Sequence, residues 1–71
     1  MIQSVIFDKK YYTLKDAYDF INRHNNLKVT KAPDVKGNFI RFRQQDPDSS
    51  KYHYVTHYIT DGVAFIIGYP K

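Results

Sequence analysis

The side chains with most to offer chemically fall in one run, Phe39-Ile40-Arg41-Phe42-Arg43-Gln44. Its alternation predicts a strand with Ile40 and Phe42 on one side and Phe39, Arg41 and Arg43 on the other. Guanidinium groups pair with phosphates, and an aromatic ring beside them stacks on a base. This side therefore suits nucleic acid bound without strong sequence preference. Lys28, Lys31 and Lys36 extend the cationic set. The same pattern also fits a strand kept soluble by its charges, as edge strands often are. The Gly-aromatic-Gly-Phe run of common sheet-based RNA binders is missing.

Two further residue types bear on chemistry. His53 and His57 lie four apart on a strand-like segment, about 13 Å by strand rise, too far for one metal ion to bridge. An interface role fits them better, with assembly weakening at acid pH if the rings must stay neutral. His24 reads as a helix-end residue. Catalysis finds little to work with. The chain has no cysteine and no Glu, only three glycines, and no phosphate loop or metal-binding His-Glu helix. Its serines, Ser4, Ser49 and Ser50, stand in no nucleophile-elbow setting. We expect no enzyme, no cofactor and no metal.

Charge is distributed unevenly. The net charge is +4, but residues 1–22 balance and residues 23–45 alone carry +5. Such a basic middle attracts polyanions. All seven acidic residues are Asp. Most sit where turns and caps need a short carboxylate, so they read as structural punctuation. Without cysteine there is no disulfide, and a domain of 71 residues is marginal unless something else staples it. Dimerisation is the simplest staple. No apolar run approaches a membrane span, and the first residues do not read as a secretory signal.

The elements that must hold these groups follow from periodicity. Ile2 to Phe7 predicts a first strand. Thr13 with Asp16 three residues on predicts a capping box, and Leu14, Ala17, Tyr18 and Ile21 mark one helical face. The helix should run about 13 residues and end at Asn25-Asn26 in a left-handed cap. Leu27 to Lys31 alternates like a short strand, and residues 32–38 read as a turn. Phe39 to Gln44 is the next strand. Tyr52–Thr60 and Val63–Tyr69 form a hairpin about Asp61-Gly62, a type I′ signal. That turn would set Thr60 against Val63, Tyr58 against Phe65, Thr56 against Ile67 and Tyr54 against Tyr69, an aromatic side offering more area to bury. The other side would carry His53, Val55, His57, Ile59, Ala64 and Ile66.

The expected class is α+β, in the order β-α-β-β-β-β, with one helix on one face of an antiparallel sheet of four or five strands. A helix about 10 Å wide cannot cover such a sheet, and the opposite face stays open. Exposed contiguous apolar surface marks interfaces. We therefore expect a homodimer through the free face, using His53, Val55, His57, Ile59, Ala64 and Ile66. Edge-to-edge pairing is the variant. Which side of the hairpin meets the helix stays open.

The helix opening Tyr12-Thr13-Leu14-Lys15-Asp16-Ala17, the run Phe39 to Gln44, and Gly62-Val63 leading to Ile66-Ile67-Gly68-Tyr69 together resemble a small domain that recurs in tailed-phage and large-DNA-virus proteins. This chain has His24-Asn25 where that pattern often has His-Gly, and Ala64 where it often has a polar residue. The resemblance implies a non-enzymatic viral protein, a virion or genome-packaging component, in the particle or the infected cell. It transfers no catalytic or binding residue. The leading expectation is a dimeric nucleic-acid binder acting through Arg41, Arg43, Lys28, Lys31 and Lys36. The alternative is a protein-binding component of a virus particle that touches no nucleic acid.

Overall fold

The computed structural model describes residues 1–71 as one helix on an antiparallel sheet. The elements are β1 (Ile2–Asp8), α1 (Leu14–Arg23), β2 (Asp34–Lys36), β3 (Phe39–Arg43), β4 (Tyr52–Thr60) and β5 (Val63–Pro70). The sheet order is β2-β3-β1-β5-β4, so β1 lies at the centre and β2 and β4 form the edges. This is the expected α+β class and element order.

Alternation in β1 decides the two faces. Val5 and Phe7 point to the helix and are fully buried. Their cross-strand partners Phe42 and Ile40 on β3, and Phe65 and Val63 on β5, share that face. Ala17 and Ile21 of α1 close over them, with Leu27 just beyond the helix. Phe7 sits at the middle, its ring centroid 5.1 Å from Tyr12, 5.4 Å from Phe20 and 5.7 Å from Phe42. Two of these contacts are edge-to-face, the geometry favoured by the ring quadrupole.

The helix start is as expected. Thr13 accepts from the Asp16 amide at 3.1 Å, and Asp16 accepts from the Thr13 amide at 3.1 Å. Its end is not. The helix has 10 residues and stops at His24, which is extended (φ −100°). Only Gly37 and Gly62 take positive φ, so neither Asn25 nor Asn26 forms a left-handed cap. The His24 amide donates to the Ile21 carbonyl, and its ring stacks on Phe20 at 4.4 Å.

Two strand assignments move. Leu27 to Lys31 is not a strand. The Gln44 side chain accepts from the Lys28 amide and donates to the Lys28 carbonyl, at 2.8 and 2.7 Å, in place of a backbone ladder. The Thr30 hydroxyl donates to the Arg43 carbonyl. The outer strand instead forms within the expected turn, where Asp34–Lys36 pairs with β3 through a tight hairpin at Gly37-Asn38.

The β4–β5 hairpin carries the main departure. Thr60 pairs with Val63, as expected, but the next pair is Tyr58 with Ala64, because Ile59 forms a bulge. The register from there on is Tyr58–Ala64, His57–Phe65, Thr56–Ile66, Val55–Ile67, Tyr54–Gly68 and His53–Tyr69. At the turn only Gly62 has positive φ (81°), so Asp61-Gly62 does not make a type I′ turn. A side-chain-bearing residue pays for the left-handed conformation that glycine adopts freely. One extra residue in β4 then shifts every later side chain to the opposite face.

Two carboxyls are held below their ordinary range. Asp16 is lowered chiefly by its hydrogen bond from the Thr13 backbone, and Asp48 chiefly by the Ser50 hydroxyl. A depressed folded-state pKa favours the fold above the unfolded value of 3.8 and loses that contribution as pH falls through the folded value. Urea unfolding at neutral pH should show Thr13→Ala less stable by about 1 kcal/mol. The gap between wild type and variant should narrow on acidification below the ordinary carboxylate range.

Candidate functional site

The sheet face away from the helix has no cover. β3 presents Phe39, Arg41 and Arg43 there, β1 presents Ile6 and Asp8, β5 presents Ala64 and Ile66, and β4 presents Thr56 and Tyr58. With Asp34 and Lys36 of β2 they line a groove of about 870 Å³. β3 and β4 are separated by β1 and β5, which sets the walls about 14 Å apart at the usual strand spacing. The floor is apolar and low, with Ala64 beneath Ile6 and Ile66. One wall carries the arginines and Phe39, 53% exposed, and the other ends in Tyr58, 86% exposed.

Charge in the groove is mixed but unneutralised. Three cations, Lys36, Arg41 and Arg43, stand near two carboxylates, Asp8 and Asp34. Asp34 is the cross-strand partner of Arg41, yet the two form no ion pair. Asp8 is occupied with the turn that follows β1, where it accepts from the Lys10 amide at 2.8 Å. Arg43 reaches Asp46 only at 3.8 Å, and its Nε is buried without a hydrogen-bond partner. Arg41 and Lys36 are exposed and free to meet a ligand.

The five cations expected to bind nucleic acid therefore divide. Arg41, Arg43 and Lys36 share the groove. Lys28 lies elsewhere, in a shallow depression with Asn26, Thr30 and Gln44, because its segment is tied to the end of β3 instead of pairing in the sheet. Lys31 follows on that segment and lines neither depression.

The expected dimer set divides too. Ala64 and Ile66 lie on the open face. The bulge sends His53, Val55 and His57 to the helix side, level with Tyr69, Ile67 and Phe65. Ile59 is the bulged residue itself, half exposed. The two histidines flank one tyrosine, with ring centroids 6.1 Å (His53) and 5.9 Å (His57) from Tyr69. The Tyr69 hydroxyl and His57 Nε2 are hydrogen-bonded at 2.9 Å. So these six residues do not make one surface. Moreover, a dimer through the free face would bury Arg41 and Arg43, which line the same groove as Ala64 and Ile66.

Sequence reasoning missed Tyr58 and Thr56 as groove residues, because the unbroken hairpin register put them on the side opposite Ala64 and Ile66. It also missed Ile6 and Asp8, whose face follows only from pairing with β3. No cluster of three or more His, Asp, Glu or Cys side chains is placed to hold a metal ion. No helix is long and apolar enough to cross a membrane. Comparison of the chain with protein-family models, curated proteins and solved structures finds no match.

The two faces should respond oppositely to truncation. Arg41→Ala should leave the unfolding free energy within about 0.5 kcal/mol of wild type, as an exposed side chain without partners does. Phe42→Ala, at the next residue but on the buried side, should cost about 3–5 kcal/mol and bring the domain close to unfolding. Denaturant titration of the two variants measures both.

Proposed function

We propose that the open face binds single-stranded nucleic acid without strong sequence preference. The observation that carries this reading is the joint placement of Arg41, Arg43 and Lys36 with the exposed rings of Phe39 and Tyr58 in one shallow groove. Guanidinium and ammonium groups meet phosphates, and exposed rings offer stacking faces that accept any base. A groove about 14 Å wide with a low floor admits a strand with its bases splayed, whereas a duplex would touch only its rims. The local +5 over residues 23–45 adds long-range attraction. The resemblance to phage and large-DNA-virus proteins favours a viral genome or transcript as the ligand and a role in the particle or in packaging. No side-chain constellation in the groove suggests catalysis.

A second reading rests on a specific feature of the same groove. Ile6, Ala64 and Ile66 give it an apolar floor, and Asp8 and Asp34 offset two of its three cations. A protein segment with mixed charge and an apolar anchor would fit that floor, as a structural component of a virus particle would require.

Salt separates the two readings. Fluorescence anisotropy of a labelled single strand of about 20 nucleotides should show micromolar binding. A fourfold rise in salt should weaken it about 20-fold if three phosphates are neutralised. Arg41→Ala with Arg43→Ala should weaken binding at low salt and flatten that dependence. A duplex should bind less tightly than the strand. Binding that the double variant leaves intact would remove the groove from the reading, and no binding at low salt would favour the protein partner.

A further inference from the structure

We infer that β4 is a self-pairing edge, and that a second copy of this chain pairs with it antiparallel about Thr56. Three features of the strand lead there.

The two edges of the sheet are guarded very differently. β2 is three residues long, carries Asp34 and Lys36, and follows Pro33. These are the devices that keep an edge from pairing. β4 is nine residues long and contains no charged residue and no proline between Tyr52 and Thr60. Its residues are aromatic, β-branched or histidine, as paired strands prefer.

The outward main-chain groups can be identified. Gly68 donates its amide to the Met1 carbonyl and accepts from the Met1 amine, so both its main-chain groups point away from β4. Its cross-strand partner Tyr54 therefore points its own amide and carbonyl away from β5, toward solvent. Alternation gives Tyr52, Thr56 and Tyr58 the same outward direction. The start of the strand agrees, since the carbonyl of Lys51, just before it, accepts from the Lys71 amide and so faces inward. Unpaired groups of this kind form the template for strand addition.

Charge then selects the orientation, and the outward main-chain groups the register. The uncharged strand is bracketed by Lys51 before it and Asp61 after it, both in turns. Antiparallel pairing centred on Thr56 brings the Lys51 end of each copy to the Asp61 end of the other, one residue out of direct opposition because Ile59 is looped out. A parallel arrangement would set lysine beside lysine. The same centre makes Thr56 meet Thr56 and Tyr54 meet Tyr58 of the second copy, all of them residues with outward main-chain groups. A register shifted by one residue would turn the outward main-chain groups of one copy to the inward ones of the other and lose the hydrogen bonds. The outcome is a closed pair, because each copy uses its one unguarded edge.

In this pairing the two-fold axis stands perpendicular to the sheet, so both open faces lie on one side of a continuous ten-stranded sheet. The inference holds whatever the groove binds, and its test contains no nucleic acid. In sedimentation equilibrium at neutral pH, wild type should have twice the 8.4 kDa mass of one chain. Thr56→Pro removes an amide that faces solvent and spares the β5 ladder, so it should give folded monomer by circular dichroism and mass. Lys51→Asp and Asp61→Lys should each raise the dimer dissociation constant about tenfold, and the double swap should restore it. Wild type that stays monomeric up to millimolar concentration would overturn the inference. So would a dimer that folded Thr56→Pro leaves intact, or one indifferent to all three charge variants.

Discussion

The fold hangs on the ring of Phe7. It belongs to the central strand, is fully buried, and touches rings from the helix approach, the helix and β3. A domain of this size has a folding free energy of about 4–10 kcal/mol in all. Aromatic burial of this kind is worth a large share of that. Phe42 is the one equal of Phe7 in size and burial and packs edge-to-face against it, while Val5, Ile21 and Ile40 are smaller and Ala17 lets the helix approach. With no disulfide and one helix of 10 residues, there is no second cluster to fall back on.

That single cluster also explains the open face. One helix buries the middle of one sheet side and nothing more. The opposite side keeps Ile6, Ala64 and Ile66 near solvent, ringed by cations and two carboxylates. Apolar groups left in this position are tolerable when charged neighbours keep the surface soluble. The groove is thus a by-product of a core covered by one helix as much as a designed feature. Its chemistry comes from what the strands place along its walls. The competition between a face-to-face dimer and a ligand for that surface is resolved if the second copy joins at the β4 edge, which leaves the groove open.

Much of this was legible in the residues. The capping box at Thr13 and Asp16, the Ala17, Tyr18 and Ile21 part of the helical face, and the split of Ile40 and Phe42 from Arg41 and Arg43 follow from short-range periodicity and stand in the structure, whereas Leu14, expected on the same face, is exposed. What could not be read was phase over longer distances. Leu27 to Lys31 alternates like a strand, but the Gln44 amide, 16 residues away, satisfies its backbone instead. Asp34–Lys36 has a weak strand pattern, yet it pairs because the Gly37-Asn38 turn folds it onto β3. For the candidate site, Arg41 and Arg43 were found from their own strand, and Lys36 only as a cation of the basic middle, in what read as a turn. Ile6, Asp8, Thr56 and Tyr58 needed pairings that no local pattern encodes.

The bulge at Ile59 makes the two faces of β4 exchangeable. Thr56 and Tyr58 present hydroxyl-bearing side chains to the groove only because one residue is looped out ahead of them. Drawing Ile59 into the ladder would restore the unbroken register and put Val55 and His57 in their place, without altering any of the side chains involved, whereas deleting Ile59 would leave the present pairs as they are. Surface chemistry on this strand therefore has two alternative settings, separated by whether Ile59 is looped out or paired. Closing the bulge would turn a tyrosine-walled groove into a histidine-walled one in one step, with no graded intermediate.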